Sequence, residues 1–61
     1  MTYPASVKCS TVLDVMARMD WAAQHGMIVV HRTWEVINSV QHATFVFVHQ
    51  EDALAFILRW S

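Results

Sequence analysis

This chain of 61 residues holds one cysteine, one glycine and one proline. Cys9 alone cannot close a disulfide within the chain. Small domains usually need such a staple, a metal or a partner, because a core of this size supplies only about 3–5 kcal/mol. With Gly26 as the only glycine, no glycine-rich loop exists to cradle a phosphate or to shape an oxyanion hole. Charge is also scarce. Four Lys and Arg face five Asp and Glu, 15% of the chain, against about 25% in an ordinary soluble domain. A net charge of −1 provides no basic face for nucleic acid. The longest apolar runs, 27–30 and 53–58, fall far short of the ~20 residues that cross a bilayer. No basic segment followed by an apolar stretch opens the chain, so a secretory signal is not expected. The lone cysteine fits a reducing, cytoplasmic setting.

What is abundant is apolar. Hydrophobic residues make up 56% of the chain, above the usual ~45–50%, which excludes disorder. The length allows one domain, 1–61, with 1–5 extended or flexible around Pro4. A domain this short and this apolar is expected to bury surplus surface against a partner.

Periodicity places the elements. Alternation suggests a short strand over 5–9, with Val7 and Cys9 on one side. A helix is expected over 10–25, opened by the Thr11–Asp14 capping spacing and ended at Gly26. Val12, Val15, Met16, Met19 and Ala23 form its apolar stripe. Asp14 and Arg18 lie one turn apart on its polar side, and Trp21 points away from the stripe. Over 27–37 a β-rich stretch sets Ile28, Val30, Trp34 and Val36 on one face. Val29, His31, Thr33, Glu35 and Ile37 occupy the other. Asn38 and Ser39 are the best turn residues, in a loop expected over 38–42 and so longer than two residues. A second strand covers 43–48, with Phe45 and Phe47 opposite Val46 and Val48. A helix over 50–60 starts with Glu51 and Asp52 and carries Arg59 in its last turn, matching the helix dipole. Its main stripe is Ala53, Phe56, Ile57 and Trp60, widened by Leu54 and Leu58. The fold class is α+β, a (β)αββα unit like half of a ferredoxin-like fold. Both helices are expected on one face of an antiparallel sheet, completed by oligomerisation.

Chemistry-bearing constellations are thin. Four histidines, His25, His31, His42 and His49, match no standard metal spacing. His31 and His42 with Cys9 or Glu35 make the one conceivable ligand set, against a reading as solvated loop and helix-end histidines. Cys9 reads as a buried inert thiol. The acidic residues read as caps and solvated helix turns, so no catalytic residue and no cofactor are expected, and the chain is not expected to be an enzyme. Tryptophan is enriched at binding hot spots. Phe45 or Phe47, Phe56 and Trp34 are expected in the core. Trp21, Phe45, Phe47, Leu54, Leu58 and Trp60 mark where a partner is sought.

The ending Glu51-Asp52-Ala53-Leu54-Ala55-Phe56-Ile57-Leu58-Arg59-Trp60, behind the strand 44–48, resembles that of small proteins of tailed bacteriophages. These carry an aromatic strand and an acidic-start helix closing in Leu-Arg/Lys-Trp. Ile57 stands where a basic residue is usual. The resemblance implies a viral accessory role in host cytoplasm and transfers no functional residue. The resulting expectation is a non-enzymatic interaction module that binds itself, as a homodimer or higher oligomer, and another protein. Two alternatives are a histidine-dependent metal-binding regulator and a nucleic-acid or nucleotide binder. The latter would gather Lys8, Arg18 and Arg32 across an oligomer interface.

Overall fold

The computed structural model describes residues 1–60. Its elements run β1 (Tyr3–Lys8), α1 (Val12–Gln24), β2 (Val29–Ile37), β3 (Val40–Phe47) and α2 (Gln50–Trp60). The strands form one sheet in the order β1-β3-β2. Both outer strands pair antiparallel with β3, so β1 and β2 run parallel to each other with β3 between them. This is the βαββα arrangement expected from the sequence.

Local chemistry explains the boundaries. Thr11 and Asp14 form a reciprocal capping box at the start of α1: the Asp14 N–H donates to Thr11 Oγ1 at 3.2 Å and the Thr11 N–H donates to Asp14 Oδ2 at 3.2 Å. The Ser10 N–H adds a 2.9 Å bond to the same carboxylate. Gly26, at φ 69°, turns the chain out of the helix. The bounds of α2 coincide with the expected 50–60.

The β2–β3 connection differs from the expected long loop. Ile37 pairs directly with Val40, leaving a two-residue turn of Asn38 and Ser39 with φ 51° and 64°. Positive φ at both central residues is the backbone that matches the twist of a tight hairpin. Residues 40–42, and with them His42, therefore belong to β3 rather than to a loop.

The core lies between the sheet and the two helices. Ala5, Val7 and Cys9 from the β1 side meet Ala43, Phe45 and Phe47 of β3, Val15 and Ala22 of α1, and Ala53 and Phe56 of α2. Phe56 stacks between Phe45 and Phe47, with ring centroids 4.8 and 5.0 Å away. Such pairs add about 0.5–1.5 kcal/mol each beyond their area. The alanines let helix and sheet backbones approach closely around this aromatic centre.

The buried face of α1 is rotated from the expected stripe. Val15 and Ala22 are buried, while Val12 and Met16 stand 69% and 58% exposed. Trp21 turns inward, against α2. The reason is that Arg18 and Trp21 bury their apolar bodies, which a stripe built from aliphatic residues alone does not count.

Candidate functional site

Alternation along β3 separates two sheet faces. Ala43, Phe45 and Phe47 face the helices, so Phe45 and Phe47, expected among contact residues, are fully buried and offer a partner nothing. The opposite face carries Ser6, His42, Thr44, His31, Thr33 and Glu35 by register. Ser6 Oγ and Thr44 Oγ1 lie 2.7 Å apart, and the Thr44 hydroxyl donates to Glu35 Oε1 at 3.4 Å. This face is polar at its centre and carries Val46, Val40 and Ile37 beside it.

The conceivable metal ligands do not converge. Cys9 is buried on the helix side, whereas His31 and His42 stand on the other face, opposite Val46 and Glu35 respectively. His42 Nδ1 lies 3.0 Å from the Val40 carbonyl oxygen. Among the described residues no three His, Cys, Asp or Glu side chains gather. Burial pushes the Cys9 thiol above its ordinary value. Arg18 opposes this, Asp14 reinforces it, and a backbone hydrogen bond from Ala43 opposes it. The sulfur is held as a thiol, the less reactive form.

The basic residues are dispersed. Arg18 lies over one side of the Trp60 ring at 4.5 Å and Arg59 lies over the ring at 4.4 Å. Arg18 also donates from Nη1 to the Asp14 carbonyl at 3.0 Å and is only 16% exposed. It pairs with the Asp14 carboxylate at 3.8 Å, as their spacing suggested, but from a largely buried position rather than a solvated polar side. Lys8 and Arg32 lie on opposite outer strands.

Trp21 and Trp60, expected to reach outward, instead join the helices. Their rings meet edge-on at 6.1 Å and 83°, and Trp21 also lies 6.1 Å from Phe56 and 4.3 Å from His25. Both remain half-buried. Leu54 and Leu58 stay on the outer side of α2, 55% and 80% exposed.

The largest uncovered region is one that residue type alone had placed inside. α2 packs on β1 and β3, and every residue of β2 beyond Val29 is exposed. Trp34, expected in the core, is 45% exposed, and Ile28, Val30, Val36, Ile37 and Val40 are exposed with it. Trp34 and Val36 pair with Ala43 and Gln41, which places them on the helix-bearing face, beyond the helices' cover. Alternation identified Trp34 and Val36 on this face; the bulge after Val29 brings Val29, paired with Phe47, onto it as well, and Ile37 and Val40 lie on the other face. What alternation lacked was the helices' footprint. Beside it, Met19, Ala22, Ala23, Met27, Ile28 and Val29 line an open apolar groove of about 320 Å³ between α1 and the start of β2.

No family model, curated protein or solved structure matches the chain. No helix among the described residues is long and apolar enough to cross a membrane.

Proposed function

We propose that this protein is a non-catalytic interaction module that works by associating with itself. The observation that carries this reading is the concentration of exposed large apolar side chains on one hairpin, from Ile28 to Val40. Apolar patches of this kind on small soluble proteins mark interaction surfaces. The dispersal of Arg18, Arg32 and Lys8 supports protein over nucleic acid as the partner. The resemblance of the last third to tailed-phage proteins suggests a viral accessory role in host cytoplasm, and that setting stands on the resemblance alone. Light scattering on size-fractionated protein, across a micromolar concentration series, tests the reading. A mass rising above the 7.0 kDa of one chain is expected. A constant monomer mass over the whole series would overturn self-association.

A further inference from the structure

We infer that β2 pairs antiparallel with β2 of a second copy, about a two-fold axis through Thr33, to join two three-stranded sheets into one. This deepens the self-association reading above by naming its surface and register.

The backbone provides the first argument. The Cys9 N–H donates to the Gln41 carbonyl at 3.1 Å, and the Val48 N–H donates to the Ile28 carbonyl at 3.3 Å. Odd-numbered residues of β3 thus direct their peptide groups to β1 and even-numbered ones to β2. Antiparallel pairing alternates strictly. His31, Thr33, Glu35 and Ile37, the partners of Val46, Thr44, His42 and Val40, therefore face β3. Arg32, Trp34 and Val36 direct their N–H and C=O groups outward along a free edge. An open edge of this kind is a template for another strand.

The side chains provide the second argument. A bulge lies between Val29 and His31; beyond it, and read about Thr33, residues 31–35 are self-complementary. Arg32 falls opposite Trp34 of the other copy, and Trp34 opposite its Arg32. These are the residues with outward peptide groups, so they exchange backbone hydrogen bonds while the guanidinium approaches the indole. His31 falls opposite Glu35 twice on the polar face. Other registers lose this match. Centring on Arg32 sets arginine against arginine, and centring on Glu35 sets glutamate against glutamate. Centring on Trp34 sets Arg32 against Val36 and His31 against Ile37. Like charges directly across a strand pair destabilise it, which disfavours the Arg32 and Glu35 registers, and the Thr33 register is the one that sets Arg32 against Trp34 and His31 against the Glu35 carboxylate. The same pairing lies beside Trp34 and Val36, which stay exposed in the single copy.

Two sets of variants test this. Thr33 faces its own copy as a non-hydrogen-bonded pair, with Cα atoms about 4.5 Å apart, within the roughly 4.4–6.8 Å span of a disulfide. Thr33→Cys is expected to give a covalent dimer on mild oxidation, and Trp34→Cys is not; Cys9, fully buried, stays unreacted. Glu35→Lys sets lysine against His31 at both ends and is expected to weaken the dimer about tenfold. His31→Glu added to Glu35→Lys restores it. Circular dichroism checks that each variant stays folded. A wild-type dimer that crosslinks through Trp34→Cys but not Thr33→Cys, or that ignores the charge swap, overturns the register while leaving self-association standing. A monomeric wild type, including one whose edge takes a strand from a different protein, overturns both.

Discussion

The two edges of this sheet are finished differently. β1 is six residues long, and by the same alternation its outward peptide groups belong to Pro4, Ser6 and Lys8. Pro4 has no N–H to offer and Lys8 brings a charge, both established ways of blunting an edge. α2 packs over this strand. β2 is nine residues long, holds neither proline nor lysine, and presents Trp34 and Val36 beside its free peptide groups, although it carries Arg32 and a bulge after Val29. A shared alternating pattern therefore produces two fates. Whether an apolar strand face becomes core depends on which strands are covered, and here α2 covers β1 and β3.

The largest test breaks the covered side. Phe56 is fully buried and touches both Phe45 and Phe47. Phe56→Ala should cost about 3–5 kcal/mol, comparable to the whole stability of so small a core, so a cooperative melting transition should disappear. Trp34→Thr on the open side is the counterpart. It places a β-branched, strand-favouring residue in the strand and removes a side chain that is 45% exposed. Monomer stability measured by urea denaturation at low concentration should change by less than about 1 kcal/mol. An equal loss from both variants would show that β2 is as much part of the core as β3.

Legibility of the sequence follows the same division. Elements defined by local chemistry were readable: the Thr11–Asp14 box, Gly26, the alternation of Phe45 and Phe47 against Val46, and α2 with its acidic start. Tertiary choices were not. The rotation of α1 depends on Arg18 and Trp21 finding Trp60 and Phe56 on another helix, a contact no period within α1 encodes. The turn residues Asn38 and Ser39 were readable, but the loop's length was not, because strand pairing continues to Ile37 and Val40. Trp34 was misplaced because its face was identified correctly and its cover was not. The contact positions followed suit: Leu54 and Leu58 are exposed as sought, Phe45 and Phe47 are buried as their core reading had it, and Trp34, read as core, stands on the longest exposed strand.

A smaller effect probes the cap that fixes α1 above the sheet. Thr11→Ala removes the acceptor for the Asp14 N–H and frees the carboxylate's partner geometry. A loss of about 1 kcal/mol is expected, within the range for such caps, read as a lower urea midpoint with an unchanged slope. Because the cap lies on the covered side, dimer formation at concentrations where the variant remains folded should match that of the wild type.

The smallest test sharpens the open side. Ser39 sits at φ 64°, a left-handed conformation that disfavours a side chain bearing Cβ and that glycine adopts freely. Asn-Gly is the preferred pair for this turn. Ser39→Gly relieves the folded hairpin but also loosens the unfolded chain, and the two effects oppose each other. The net gain should be about 0.5 kcal/mol, seen in the urea midpoint. Val40 pairs with Ile37 next to the turn, so relief there also steadies the end of β2. If Ser39→Gly instead lowers stability, the looser unfolded chain outweighs the relief in the turn.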